Sequence, residues 1–194
     1  EFHAESGDAI PDVVGRTLGR EMQNLAVSGA QLFPDDPEAT DEGLDIPAQL
    51  PAGEWDWLVM DGGGNDFNDQ CECGSCDSLI DSYVSERGTD GRLPDFLRGV
   101  TDRGTRVVYM TYPDLPPGAE FGFDRCGDEF EVFDARLERM AAALDGVWIV
   151  HASDVVAADD LDAFDADRVH PSVLGAERIG AHIASEILAI EAAP

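Results

Sequence analysis

Lysine is absent from the 194-residue chain, and all 12 of its basic residues are arginines. They are outnumbered by 41 acidic residues, which gives a formal net charge of −29 at pH 7. A surface with this charge repels phosphate backbones and anionic lipid headgroups. We therefore expect no nucleic-acid partner and no binding to an anionic membrane surface.

Long apolar runs are also missing. No stretch approaches the roughly 20 apolar residues that a membrane-spanning helix requires, so we expect no membrane span. The first residues, Glu-Phe-His, show neither the starting Met nor the basic and apolar regions of a signal peptide. Because 43% of the residues are hydrophobic, the chain can form a core, and we expect one domain over residues 1–194.

Cysteine is scarce and clustered, at Cys71, Cys73, Cys76 and Cys126. Such a set can form two disulfides or a metal site with four thiolate ligands. Structural zinc sites usually combine two Cys-x-x-Cys pairs, whereas only Cys73 and Cys76 have that spacing here. We therefore predict disulfides and no metal, and hence a periplasmic or secreted protein. Because residues 154–167 are rich in acidic side chains, a bound cation in this stretch is an alternative.

Short apolar runs alternate with segments of helical periodicity along the chain. We predict strands at 22–27, 57–60, 106–112 and 147–150, and helices at 9–18, 46–50, 78–87, 93–100, 129–144 and 172–190. The strands are continuous apolar runs, which is typical of a parallel sheet covered on both faces. The sequence therefore predicts an α/β layered fold.

Three predicted loops carry residues suited to catalysis. Such loops matter because ligands of open parallel sheets bind beyond the carboxyl ends of the strands. The first loop is Ser-Gly-Ala at 28–30, where no side chain obstructs the N–H of Gly29. The second is Gly-Gly-Gly-Asn-Asp at 62–66, in which Asn65 offers an amide donor. In the third, Asp167 precedes His170 by three residues and can fix its tautomer, so that His170 acts as a general base.

Together these segments resemble conserved blocks of the SGNH hydrolase superfamily, also called GDSL esterases and lipases. Residues 24–30 resemble its second block, residues 62–66 its third and residues 167–172 its fifth. The resemblance implies a three-layer α/β/α sandwich with a parallel, flavodoxin-like sheet. It also implies hydrolysis of carboxylic esters without a cofactor, on a small-molecule ester substrate.

The same resemblance implies roles for individual residues. Gly29 and Asn65 are expected to be oxyanion-hole donors, and Asp167 and His170 to be two members of a Ser-His-Asp triad. The substrate class, whether short acyl esters, acetylated sugars or lysophospholipids, stays open at this stage.

The first block of that family, a strand followed by Gly-Asp-Ser with the nucleophile, has no counterpart in residues 1–194. Ser6 stands next to Gly7 and Asp8, but in the wrong order and without a preceding strand. We therefore expect the native polypeptide to continue upstream of Glu1 with the first central strand and the nucleophilic serine. Two alternatives remain: a non-catalytic binding domain of the same fold, and a metal-dependent hydrolase that uses the acidic run and His170.

Overall fold

Three parallel strands form the centre of the protein in a computed structural model that describes residues 7–193. They are β1 (Trp57–Met60), β2 (Arg106–Thr111) and β3 (Val147–His151), in the spatial order β1-β2-β3. Leu58 of β1 is in register with Val107 of β2, and Val108 of β2 with Trp148 of β3. Each strand lies where its apolar run predicted it, and the prediction of a parallel sheet is confirmed.

Seven α-helices occur within residues 7–193, and six of them match predicted helices. They are α1 (Ile10–Leu18), α2 (Ile46–Gln49), α3 (Gly64–Cys71), α4 (Asp77–Tyr83), α5 (Arg92–Thr101), α6 (Gly127–Ala143) and α7 (Val173–Ala192). The sequence did not predict α3, because its Gly-Asn-Asp start has low helix propensity and reads as a loop.

The helices cover both faces of the sheet, and β2 shows how. Its Val107 and Tyr109 pack in a hydrophobic cluster with side chains of α3, α4, α5 and α6. Its Val108 and Met110 pack on the opposite face, in a second cluster with α1 and α7. Successive side chains of a strand point to opposite faces, so a strand that is buried on both must be apolar throughout. The three-layer α/β/α sandwich implied by the resemblance is therefore confirmed.

One predicted strand, at 22–27, is not formed. This segment has no strand pairing and is largely exposed, and the Ala26 N–H donates to the Asn24 side chain at 3.1 Å instead of to a neighbouring strand. The segment lies along a cleft whose opposite wall includes β1. Among the described residues no strand pairs with the outer edge of β1. An apolar run becomes a strand only where a neighbour satisfies its N–H and C=O groups.

All four cysteines form disulfides, as predicted. Cys71 bonds to Cys76 with their Cα atoms 5.4 Å apart, and Cys73 bonds to Cys126 with a Cα separation of 4.6 Å. The first closes a loop within the α3–α4 connection. The second joins that connection to the start of α6, 53 residues further along the chain.

The two disulfides should therefore differ in their contribution to stability. In the loop-entropy model, the cost of closing a loop in the unfolded chain grows with the logarithm of its length. Replacing Cys73 and Cys126 by serine should lower the free energy of unfolding by about 2 kcal/mol more than replacing Cys71 and Cys76. Urea unfolding of the two double variants measures this difference, and equal losses would contradict the expectation.

Candidate functional site

A cleft of about 670 Å³ opens along β1 and its carboxyl end. One wall is the unpaired segment 22–30, and another is formed by β1 with the residues that follow it. Gly29, Asn65 and His170, three residues singled out from different parts of the sequence, all line this cleft. The fold therefore brings the three predicted loops to one place.

Asp167 and His170 form a hydrogen-bonded pair at the entry to α7. One carboxylate oxygen of Asp167 lies 2.8 Å from Nδ1 of His170. The other accepts the backbone N–H groups of Val169 at 2.9 Å and of His170 at 3.0 Å. The side chain of Asp167 is thus held by the loop that it organises, and Ser172 then caps the first turn of α7 by accepting the N–H of Gly175.

These contacts determine the charge of Asp167 and the position of the hydrogen on the His170 ring. Burial alone would raise the pKa of Asp167, but hydrogen bonds from the backbone of His170 and Val169 and from the His170 ring outweigh it, so the pKa lies below its ordinary value. An ionised carboxylate accepts only, so Nδ1 of His170 carries the hydrogen. Nε2 is then the basic nitrogen of the neutral ring.

Gly29 occupies a tight turn. The Ala30 N–H donates to the carbonyl of Val27 at 3.2 Å, and Gly29 between them has a φ of +82°. This left-handed conformation is required at the third position of a type II turn and is unfavourable for other residues. A Cβ added to Gly29 would meet no atom within 4 Å. Backbone conformation rather than space therefore requires glycine here.

Asn65 and Asp66 hold this turn against α3. The Asn65 amide donates to the carbonyl of Ala30 at 2.8 Å. The carboxylate of Asp66 accepts the backbone N–H groups of Leu32 at 2.9 Å and of Phe33 at 3.1 Å. The two neighbouring side chains thereby bind consecutive parts of the same segment, which keeps Gly29 close to Asn65.

Asp66 is fully buried, and sequence reasoning assigned it no role of its own. Besides the two backbone groups, it accepts the hydroxyl of Tyr83 at 2.7 Å. Burial raises the pKa of Asp66 although these donors favour its charged form, and burial with the nearby Asp66 raises the pKa of Tyr83. A buried carboxylate needs such donors. The position of Asp66 directly after Asn65 was the sequence feature that could have indicated this role.

Asp61 is a carboxylate of the cleft to which the sequence pattern assigned no role. It follows β1 directly and lines the cleft together with His170. Burial raises the pKa of Asp61, while its own backbone and the charge of His170 act in the opposite direction. Asp61 therefore adds negative charge to the cleft when it ionises, and an anionic ligand is disfavoured there.

The acidic run is partly used for internal contacts. Asp160 forms an ion pair with Arg178 of α7, and the carbonyl of Asp162 accepts the Ser172 hydroxyl at 2.7 Å. Within residues 7–193, no three side chains of His, Cys, Asp or Glu are arranged to hold a metal ion. Ser6 lies outside the described residues.

None of the helices described is long and apolar enough to cross a membrane.

The profile of the GDSL-like lipase/acylhydrolase family matches residues 2–178. No curated protein is significantly similar in sequence. A crystal structure with 17% identity superposes with a TM-score of 0.61 and covers 94% of this chain and 84% of its own. An inhibitor-bound M. smegmatis aryl esterase, 15% identical, has a TM-score of 0.58 and covers 93% and 85%.

At these identities the two solved structures show a shared fold. The family match extends over most of the chain and includes all three loops that meet in the cleft. The chain therefore belongs to the GDSL-like lipase/acylhydrolase family.

Proposed function

We propose that this protein hydrolyses carboxylic esters by a serine-dependent mechanism, with His170 as general base and Asp167 as the residue that orients it. The observation that carries the proposal is the Asp167–His170 hydrogen bond at a cleft that Gly29 and Asn65 also line. A base, its orienting carboxylate and two potential oxyanion donors are the parts that acyl transfer requires.

In the first half of the reaction, Nε2 of His170 takes the proton of the serine hydroxyl as the serine oxygen attacks the ester carbonyl. Asp167 accepts Nδ1–H throughout and stabilises the imidazolium that forms. The carbonyl oxygen becomes an oxyanion, which accepts hydrogen bonds from the Gly29 N–H and the Asn65 amide. When the tetrahedral intermediate collapses, His170 returns its proton to the departing alcohol.

The second half repeats these steps with water. His170 removes a proton from a water molecule, whose oxygen attacks the acyl-serine carbonyl. Collapse of the second intermediate releases the carboxylic acid and returns the proton to the serine. No cofactor is consumed, and the same two oxyanion donors act in both halves.

We propose that the nucleophilic serine sits at the carboxyl end of a strand that pairs with the outer edge of β1. The cleft is lined by β1 and by residues 22–27. The proposed catalytic residues Asn65 and His170 also line it. A parallel strand here would satisfy the outer N–H and C=O groups of β1 and cover the apolar cleft wall.

A labelling experiment tests both the reaction and the nucleophile. The full-length native polypeptide is assayed with p-nitrophenyl acetate, with and without EDTA, and then treated with a fluorophosphonate and digested for mass spectrometry. EDTA-resistant turnover and a labelled serine whose modification depends on His170 would support the proposal. Turnover that EDTA abolishes, with no labelled serine, would favour a metal-dependent hydrolase instead.

A non-catalytic binding domain is the second candidate, because residues 1–194 contain no Gly-Asp-Ser block. It predicts that the protein shows neither turnover nor labelling in the same experiment. That result, with a folded protein by circular dichroism, would overturn the esterase proposal.

Asn65→Ala should lower kcat by about two to three orders of magnitude, the usual cost of removing one oxyanion donor. KM should change little, because the donor acts mainly on charge that develops in the transition state. Asp69→Ala is the control on the same helix, because Asp69 is exposed and does not line the cleft. Steady-state kinetics on p-nitrophenyl acetate measure both variants. Equal kcat values for them would argue against Asn65 as an oxyanion donor.

A periplasmic or secreted location is also part of the proposal. Its support is the pair of disulfides, because such bonds persist in oxidising compartments.

A further inference from the structure

Phe121 is the most exposed large apolar residue among those described, with 63% of its surface accessible. It lines the cleft that contains Asn65 and His170. Its φ is +59°, in the left-handed region that a bulky aromatic residue rarely adopts. Such a conformation costs about 1–3 kcal/mol and persists only where the surroundings impose it, which is typical of functional positions.

The surroundings do impose it, because the loop of residues 116–126 that carries Phe121 is anchored on both sides. The Glu120 N–H donates to the carbonyl of Asp167 at 2.9 Å. Arg168 donates from Nη1 to the carbonyl of Pro117 at 2.8 Å. At its far end the loop is joined to the α3–α4 connection through the Cys73–Cys126 disulfide. Phe121 is therefore held at a defined place relative to the Asp167–His170 pair.

More aromatic rings line the same part of the cleft. Tyr112 stacks on Phe130 with ring centroids 5.0 Å apart, and Phe123 of the loop lies close by. A Cβ added at Gly64 would lie 3.0 Å from the Tyr112 ring and 3.3 Å from the Phe123 ring. Glycine therefore lets the rings pack closely against the backbone next to Asn65, since a Cβ here would push them back by a few tenths of an ångström. The aromatic surface is therefore adjacent to the proposed oxyanion site, since Gly64 packs against the rings and Asn65 follows it directly in the chain.

The charges around this surface restrict what it can bind. The loop carries charges of both signs, with Glu120 and Asp124 beside Arg125, but the carboxylates Glu21 and Asp61 line the cleft itself, and no arginine is among the described residues that line it. Anionic groups are repelled by such neighbours, whereas an uncharged ring gains from apolar burial and from offset or edge-to-face contacts with Phe and Tyr. Such contacts contribute about 0.5–1.5 kcal/mol beyond the area that they bury.

We propose that Phe121, together with Phe123 and Tyr112, forms a subsite for an uncharged aromatic ring of the ester substrate, and that Phe121 determines this specificity. The inference rests on the proposed esterase function and adds to it the substrate class. Phe121 contributes the exposed face of the subsite, while Tyr112 and Phe123 contribute the packed face beside Asn65.

Competing substrates test the specificity. For the wild type, kcat/KM is measured on phenyl acetate, methyl benzoate and ethyl acetate, and we expect a preference for an aromatic ester. In Phe121→Ala the ratio of aromatic to aliphatic kcat/KM should fall about tenfold, whereas Phe121→Tyr should retain the preference. Leu188→Ala removes an apolar residue of α7 that is 48% exposed, and it should leave the ratio unchanged. A ratio that Phe121→Ala does not alter would overturn the inference.

Direct binding separates this inference from the proposed function. Acetophenone, an aromatic ketone that an esterase cannot hydrolyse, is titrated into the wild type and into His170→Ala by isothermal calorimetry. The Kd should be similar in both and about tenfold higher in Phe121→Ala. If the protein hydrolyses no ester but binds acetophenone through Phe121, the esterase proposal fails and the aromatic subsite stands. If it hydrolyses esters but Phe121→Ala binds acetophenone as well as the wild type does, only the subsite is overturned.

Discussion

Replacing His170 by alanine is expected to lower kcat on p-nitrophenyl acetate by about four to six orders of magnitude, the usual range for loss of the base in a serine hydrolase triad. The reason is that a serine hydroxyl is a poor nucleophile until a base removes its proton. The hydrogen bond between Nδ1 of His170 and Oδ2 of Asp167, 2.8 Å long, holds the ring in the tautomer that leaves Nε2 as the basic nitrogen. Stopped assays with enzyme in excess can measure rates this low.

Two further variants make this result specific. Asp167→Asn keeps an acceptor for the backbone groups of Val169 and His170 but can present an N–H to the ring, so kcat should fall by about four orders of magnitude with the fold intact. His182→Gln alters a histidine of α7 whose Nε2 is 3.7 Å from Asp154, and its kcat should stay near that of the wild type. If His182→Gln lost as much activity as His170→Ala, His170 would have no special role.

Asp134 should make the protein markedly less stable at alkaline than at acidic pH. This residue of α6 is partly buried, and burial raises its pKa to about 7. The charge of His151 opposes the shift, whereas Asp114 and Glu138 add to it. In the unfolded chain the pKa returns to about 3.9. Between these values the folded protein holds a proton that the unfolded chain has lost.

Stability must then decrease as the pH rises through this window, because the folded state binds more protons than the unfolded state. The contribution of Asp134 to the free energy of unfolding is fully present below about pH 4 and declines from there to about pH 7. The total change amounts to about 4 kcal/mol. Asp134→Asn has no charge to bury. It should therefore be more stable than the wild type at pH 8 and show a flatter pH dependence.

Urea unfolding at pH 5 and pH 8 measures this effect. Glu131→Gln removes an exposed carboxylate of the same helix and should keep the pH dependence of the wild type. If Asp134→Asn and Glu131→Gln lost stability equally on going from pH 5 to pH 8, the carboxyl group of Asp134 would have an ordinary pKa in the folded protein.

Prediction from the sequence worked best where a local pattern also satisfied its tertiary requirements. The run at residues 57–60 became β1 because its side chains pack on both faces of the sheet, Leu58 and Met60 in one hydrophobic cluster and Trp57 and Val59 against the other, and both faces require apolar side chains. Helices α5 and α6 began within two residues of their predicted starts. A helix with one apolar face can bury it only by turning that face toward the core.

Prediction failed where distant parts of the chain decide the outcome. Residues 22–27 have the apolar composition of a strand, but pairing needs a neighbour, and none of the described strands lies beside them. Conversely, α3 starts with residues of low helix propensity, yet Asp66 ties it to the backbone of Leu32 and Phe33. Propensity is a weak preference that such contacts override.

The sequence by itself determined the layered α/β architecture, the disulfide-bonded cysteines, the family and the Asp-x-x-His pair, because each depends on short-range pattern or spacing. Only the tertiary structure decided how Gly29, Asn65 and His170 are held around one cleft and that Phe121 lies beside them. The hydrogen bond from Glu120 to Asp167 joins residues 47 positions apart. Contacts of this range arise from how the elements pack, and no local pattern encodes them.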